Sequence, residues 1–139
     1  MQSTNQRHFK QQSWGVSTLN TSRLSSPDLF LKKVIRLIQI NFDNELFDVS
    51  ALARQMHLSV SQLNRKLNAK IQQSAGHLIW RMKMNYAAEL LTQHAASISD
   101  VAYQVGYNNQ AHFCRSFKRR FACTPSIFRK RIATNAVKR

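Results

Sequence analysis

The chain has 139 residues, enough for one compact domain with a tail, and its 43% hydrophobic content excludes disorder over most of its length. Lysine and arginine number 21 against 6 acidic residues, which gives a formal net charge of +15. A charge of this size indicates a polyanionic partner, either a nucleic acid or an anionic membrane surface.

Composition also argues against an enzyme or a metal protein. Acidic residues are scarce, no nucleophile lies at a useful spacing from a base, and no glycine-rich phosphate loop is present. Cys114 and Cys123 form no CxxC pair, so we expect two reduced packing thiols, with no catalytic residue, metal or cofactor. No apolar run reaches the roughly 18 residues that span a bilayer, and the N-terminus lacks a signal-peptide core, so the expected compartment is the cytoplasm.

The basic residues are concentrated in the second part of the chain. Four of the acids lie within the first 48 residues, and the only acids after that point are Glu89 and Asp100, against 15 lysines and arginines. A solvated basic face explains a single run of charge, but it explains poorly a near-absence of acids across some 90 residues.

The chain begins with a polar segment, residues 1–25, which is expected to be a flexible tail or linker that includes an unstructured Trp14. A helix is predicted from Ser26, which caps it, with Pro27 at the first helical position and Asp28 near its positive end. The apolar positions of this helix follow helical spacing: Leu31, Val34, Ile35, Ile38 and Phe42.

A helix-turn-helix is predicted at about 48–68. Its first helix runs from about Asp48 to Met56, and a turn through His57 and Leu58 leads to a helix that begins at Ser59. Ser59 and Gln62 have the spacing of a capping box. The residues expected in the core are Val49, Leu52, Ala53, Met56, Leu63 and Leu67.

A longer linker helix is predicted at about 74–92, with a length of about 27 Å. A second helix-turn-helix follows at about 97–121, in which Ser97 caps a short helix, Gly106 turns the chain and Asn108 caps the next helix. A short final helix opens at Thr124-Pro125-Ser126 and contains Phe128, and the basic end of the chain, 129–139, is expected to fray. The predicted core positions of the second unit are Ile98, Val101, Ala102, Val105, Phe113, Phe117 and Phe121.

The two helix-turn-helix segments are copies of one plan. Residues from Val49 to Ser59 recur from Ile98 to Asn108 at an offset of 49, and after one inserted residue the match continues at an offset of 50. Ala53 and Ala102 are small where two helices must cross closely. With no alternating strand pattern, the predicted fold is all-α and homeodomain-like, with two helix-turn-helix subdomains joined by a linker helix in a domain spanning 26–131, and a basic tail at 132–139.

At these residues the chain resembles the AraC/XylS family of transcription regulators. The match is closest over Ser97-Ile98-Ser99-Asp100-Val101-Ala102, Gly106-Tyr107, Phe113 to Lys118 and Thr124-Pro125-Ser126. The sequence departs from the family pattern at Ala122, where glycine is usual, at Lys83, where arginine is common, and at His57. The resemblance implies a bacterial, sequence-specific binder of double-stranded DNA, the output domain of a response regulator or hybrid two-component system, with RNA polymerase as a further partner and no membrane partner. The isolated domain is expected to be monomeric, and a dimer interface would lie elsewhere in the parent protein.

The resemblance also implies which side chains read DNA. Arginine pairs with guanine and asparagine with adenine through two hydrogen bonds, and each pair discriminates by about 1–3 kcal/mol. The expected base-reading residues are Ser61, Gln62, Asn64, Arg65, Asn109, Gln110, Ala111 and Arg115. The expected phosphate contacts are Ser59, Lys66, Asn68, Asn108, His112, Lys118, Arg119 and Arg120. The first-unit readers agree with helix geometry, since Ser61, Asn64, Arg65 and Asn68 lie on one face, opposite Leu63 and Leu67.

Alternatives stay open at this point. A solvated or ion-paired role for Arg65 or Arg115 is the lesser alternative to base reading, and His112 is either a phosphate contact or a spectator. Non-specific binding of DNA or RNA through charge alone is the main rival function, and a basic helix on a membrane surface is a weaker one. In the favoured mechanism the linker helix holds the two reading helices about 34 Å apart, one DNA turn, and bending of the duplex costs about 1–6 kcal/mol.

Overall fold

A computed structural model of the protein describes residues 26–93 and 96–138, with side chains described for 29–93 and 96–135. The described residues form helices and no strand, as predicted. The helices are α1 Ser26–Ile40, α2 Val49–Gln55, α3 Val60–Ile71, α4 Ala75–Thr92, α5 Ile98–Gln104, α6 Gln110–Phe121 and α7 Pro125–Lys138. The predicted tail with Trp14 and the side chains of the predicted cap, Ser26 to Asp28, lie outside this description.

The described residues divide into two compact units. The first contains 26–42 and 46–82, and the second contains Asp43–Glu45 together with the residues from Lys83 onward. The boundary between Met82 and Lys83 falls within α4, so this helix contributes its first part to one unit and its second part to the other. None of the described helices is long and apolar enough to cross a lipid bilayer.

In the first unit, α1 and α3 pack on α2 through the predicted apolar faces. The α1 positions are all buried: Leu31, Val34, Ile35, Ile38 and Phe42. Leu52, Leu63 and Leu67 are fully buried, and Ala53 is 2% exposed at the close approach that its small side chain permits. Val49 and Met56, predicted in the core, are only half-buried because they lie at the two ends of a seven-residue helix.

The second unit has an aromatic core. Helix α6 packs against both α5 and α7, and Val101, Val105, Phe113 and Phe117 are fully buried. The Phe117 ring lies 5.9 Å from Phe113, 4.7 Å from Phe121 and 5.3 Å from Phe128, centroid to centroid. Phe121 and Ile98 are half-buried rather than fully buried as predicted, since Phe121 is the last residue of α6 and Ile98 the first of α5.

The turns of the two units follow the same hydrogen-bond pattern. His57 and Gly106 both have positive φ, 60° and 84°, and the next residue in each case donates its N–H to the carbonyl of Ala53 or Ala102 at 2.9 Å. The following helices differ in their start. Ser59 caps α3 in the predicted capping box, whereas α6 is capped by Asn109 and not, as predicted, by Asn108. The inserted residue of the repeat is therefore Asn108, which lies between the turn and the helix.

Helix α7 is longer than the sequence indicated. It continues to Lys138, although fraying was predicted from Arg129 onward. Arg129 stabilises its first part, because its Nε donates to the carbonyl of Leu91 at 3.1 Å. A basic segment without acids still forms a helix when it continues from a packed one, so its charge alone does not end the helix.

Two ionisable side chains of α4 are buried in the second unit. Tyr86 is 1% exposed, and burial, together with the negative charges of Glu89 and Asp43, raises the pKa of Tyr86 to about 12. Lys83 is 9% exposed, and burial lowers the pKa of Lys83 below its usual value of 10.5. Both shifts favour the neutral form of the side chain.

Candidate nucleic-acid interface

Helix α3 has one buried and one exposed face, the arrangement expected of a helix that reads DNA. Leu63 and Leu67 are fully buried, while Ser61, Arg65 and Asn68 are exposed. A capping box fixes the residue at which α3 begins. The Ser59 hydroxyl accepts the N–H of Gln62 at 3.1 Å, and the Gln62 Oε1 accepts the N–H of Ser59 at 2.9 Å. The Gln62 side chain, predicted to read bases, therefore already has an intramolecular partner although it is exposed.

Asn64 differs from its predicted neighbours on this face. It is half-buried, and its Oδ1 accepts the backbone N–H of Ala75 at 2.8 Å. An asparagine that pairs with adenine uses its amide oxygen and nitrogen together, and here one of the two lone pairs of that oxygen is used within the protein. That Asn64 reads a base stays a prediction, and the bond to Ala75 gives the side chain a structural partner as well.

Lys66, predicted to contact phosphate, faces the first helix. It is exposed, and its Nζ lies 5.6 Å from the centroid of the Phe30 ring on α1. A cation at this distance from an aromatic face is attracted to the ring. The ammonium group of Lys66 is therefore restrained by the ring while its side chain stays exposed, which is compatible with a phosphate contact.

Helix α6 presents the corresponding residues of the second unit. Asn109 is the cap, with its Oδ1 accepting the N–H of His112 at 2.9 Å. The residues that follow are exposed: Gln110, Ala111, His112 and Arg115. Phe113 and Phe117 are fully buried on the other side. The His112 ring also packs edge-on against Tyr107, with centroids 5.1 Å apart. His112 is therefore exposed and at the same time packed against the turn that precedes α6.

The three basic residues at the end of α6 do not share one environment. Lys118 and Arg119 are exposed. Arg120 is half-buried: its guanidinium donates to the Oδ1 of Asn85 at 3.0 Å and lies 4.9 Å from the centroid of the Phe121 ring. That Arg120 contacts phosphate stays a prediction, and its guanidinium already has a partner on α4 of its own unit.

Each unit thus brings most of its predicted reading residues to one exposed helix face. The exposed ones are Ser61, Gln62 and Arg65 in the first unit and Asn109, Gln110, Ala111 and Arg115 in the second. The predicted phosphate residues Asn68 and His112 are exposed as well. Sequence reasoning missed Asn85, Phe30 and the Asn64–Ala75 bond. The one available signal was that the first N–H groups of α4 need acceptors. Among the described residues, no cluster of three His, Cys, Asp or Glu side chains forms a metal site.

Comparison with known proteins agrees with this geometry. The helix-turn-helix domain family of AraC type matches residues 52–131. The chain is 31% identical over 107 residues to histidine kinase P4 of Formosa agariphila, covering 77% of this chain and 8% of the kinase. It is 29% identical over 100 residues to the transcriptional activator RhaS of Escherichia coli O1:K1, covering 72% of this chain and 36% of RhaS.

A solved structure matches as well. The C-terminal domain of AraT, a response regulator from Geobacillus stearothermophilus, superposes with a TM-score of 0.70 at 28% identity, covering 78% of this chain and 88% of that domain. The chain spans well under half the length of the curated relatives it matches. From the match over residues 52–131 and the two exposed reading helices, the chain belongs to the family of AraC-type helix-turn-helix domains, a family of DNA-binding transcription regulators.

Proposed function

We propose that residues 26–131 form the sequence-specific DNA-binding part of a longer transcription regulator. The observation that carries this proposal is the pair of capped helices, α3 and α6, each with a buried apolar face and an exposed face that carries arginine and amide side chains. In a helix-turn-helix the second helix enters the major groove with such residues directed at the base edges. Here both copies have the required chemistry.

The roles of the individual side chains follow from exposure and hydrogen bonding. Arg65 and Arg115 are the principal readers, because each is exposed and arginine contacts guanine through two N–H groups. The other base-directed residues are Ser61, Gln62, Asn109, Gln110 and Ala111, of which Ala111 suits a thymine methyl group. The backbone-directed residues are Ser59, Lys66, Asn68, Asn108, His112, Lys118 and Arg119. Phosphate contacts add affinity without sequence information.

The setting of the domain is part of the proposal. RhaS is a transcriptional activator, AraT is a response regulator and the kinase of F. agariphila is far longer than this chain. These relatives support a cytoplasmic parent protein in which a receiver or sensor module controls the domain. The domain itself acts as a monomer, any dimer interface lies elsewhere in the parent, and transcription is controlled by contacting or positioning RNA polymerase.

The test is selection of binding sites from a random duplex library. Wild-type protein is expected to enrich two base clusters about ten base pairs apart, one for each reading helix. Arg65→Ala is expected to lose the preference at one cluster and Arg115→Ala at the other, each by about 1–3 kcal/mol.

The matched control is Arg36→Ala, which removes the same charge from an exposed position on α1, outside both helix-turn-helix segments. It is expected to preserve both clusters. If Arg65→Ala and Arg115→Ala instead weaken binding equally on every sequence, or if wild-type protein enriches no sequence, binding is driven by charge alone and the proposal fails.

A further inference from the structure

The first N–H group of helix α4 donates a hydrogen bond to a side chain of helix α3. Ala75, its first residue, is 0% exposed, and its N–H is donated to Asn64 Oδ1 at 2.8 Å. Two residues further on, the N–H of His77 is accepted by the Ser74 hydroxyl at 3.2 Å. A buried N–H without an acceptor destabilises the fold, so this bond has a structural value of its own.

The second unit provides an internal comparison at the same turn. At the offset of 50, Ser74 corresponds to Thr124, whose Oγ1 accepts the N–H of Ile127 at 3.4 Å in the same manner. Ala75 corresponds to Pro125 and Asn64 to Cys114. Proline has no N–H, and cysteine is a poor acceptor. The second unit therefore lacks both the N–H donor and the side-chain acceptor of this hydrogen bond. The pairing of Asn64 with Ala75 is specific to the first unit.

The position of this bond connects it to DNA reading. Asn64 lies between the buried Leu63 and the exposed Arg65, in the middle of α3. A bond from this point to the first residue of α4 restrains the rotation of α3 about its own axis, in addition to the restraint from the apolar core. A reading helix must hold its side chains within about 0.5 Å of the productive geometry.

We propose that Asn64 is a positioning residue that fixes the orientation of the α3 reading face through its bond to the Ala75 N–H, and does not itself read a base. The inference rests on the proposed function, since it concerns how the first reading helix is held. It assigns to Asn64 an effect that extends over every base read by α3, whereas a base reader affects a single base pair.

The test compares four proteins with the wild type in duplex-library selection, at a temperature where thermal unfolding shows each to be folded. They are Asn64→Ala, Asn64→Asp, Ala75→Pro and the double variant Asn64→Ala/Ala75→Pro. Asn64→Ala is expected to lower the preference across the whole α3 cluster by about fivefold, the factor of a helix cap of ordinary strength, and to leave the α6 cluster unchanged.

The other variants isolate the bond. Asn64→Asp keeps the acceptor and loses the amide donor, so it is expected to retain relative preference in the α3 cluster, although its added charge lowers affinity for all sequences. Ala75→Pro removes the donor as in the second unit and is expected to reproduce Asn64→Ala, and the double variant to show no further loss. If Ala75→Pro does not fold, the comparison of Asn64→Asp with Asn64→Ala tests the inference by itself.

Three outcomes would overturn the inference and leave the proposed function standing. They are a loss of preference confined to one base pair in Asn64→Ala, a similar loss across the α3 cluster in Asn64→Asp, and additive losses in the double variant. The same holds if Asn64→Ala lowers only the thermal stability and keeps the full preference, since the bond is then structural alone. Absence of any preference in the wild-type protein overturns the proposed function itself, and the positioning role with it.

Discussion

At the scale of single residues, Lys83 is a basic side chain that the fold buries. It is 9% exposed, and burial lowers the pKa of Lys83 below 10.5. A lysine pKa that is lower in the folded protein than in the unfolded chain means that folding opposes the charged form. At neutral pH, where an unfolded lysine is charged, this side chain therefore reduces the stability of the second unit.

Replacement of this lysine by an apolar side chain is expected to stabilise the protein. Lys83→Met should raise the free energy of unfolding at pH 7, and the gain should shrink as the pH approaches 10.5, where the unfolded lysine loses its proton too. Denaturant unfolding at several pH values measures both effects. The control is Lys130→Met, which removes an exposed charge and should change little. A gain in Lys83→Met that does not vary with pH would contradict this account.

Two predicted site residues, Asn64 and Arg120, have intramolecular partners that the sequence did not reveal. Periodicity predicted the helix face on which Asn64 lies, but not the neighbour of either side chain. Their partners, Ala75 and Asn85, are 11 and 35 residues away along the chain. Periodicity gives the direction of a side chain but not what another element brings near it, so a polar residue at the edge of an exposed face is the least predictable kind of site residue.

At the scale of the helix, the sequence signals at the helix ends show how far a helix boundary can be predicted. Capping boxes at Ser59 and Ser97 were readable from the sequence because they depend on spacings of three residues. The cap of α6 was placed one residue early because Asn108 and Asn109 are both good caps, and only the turn geometry chooses between them. Local signals therefore predict that a helix begins, and tertiary structure decides at which residue.

The end of α6 leads to a prediction at this scale. Ala122 is exposed and has a φ of 66°, a left-handed conformation that penalises any side chain with a Cβ. Ala122→Gly is expected to stabilise the protein by about 0.5–1 kcal/mol. Ala69→Gly, at an exposed position inside α3, should instead destabilise it by about 0.5–1 kcal/mol. Thermal or denaturant unfolding of Ala122→Gly and Ala69→Gly measures both changes in stability. Losses of equal size in the two variants would refute the left-handed conformation of Ala122.

At the scale of the whole molecule, the proposed function divides affinity from selectivity: charge supplies the affinity, and the exposed side chains of α3 and α6 supply the selectivity. The net charge of +15 predicts that log affinity for DNA falls linearly with log salt concentration. The internal repeat made the all-α fold and both helix-turn-helix segments predictable, because two matching copies are far less ambiguous than one. The operator sequence was not predictable, since bases are chosen by side-chain geometry on DNA and by deformation of the duplex.

Two neighbouring cations test this division of roles. Lys118→Ala is expected to weaken binding to all sequences alike and to reduce the salt slope by about one. Arg120→Ala should leave the slope unchanged and lower the thermal stability, because its guanidinium is bound to Asn85 and packs on Phe121. Titration of fluorescent duplexes at several salt concentrations provides the slopes. An equal change of slope in both variants would show that Arg120 also meets the DNA backbone.

The extra residue before α6 has a consequence for engineering. Helix α3 follows its turn one residue sooner than α6 does, since Ser59 starts its helix directly after Leu58 while Asn108 separates Tyr107 from Asn109. A transplant of specificity from one unit into the other must therefore be cut at the capping residue and not at the turn. A graft aligned on the left-handed residues His57 and Gly106 would rotate every transferred side chain by about 100°, the angle of a single helical step, and would turn the transferred arginine away from the face predicted to read DNA.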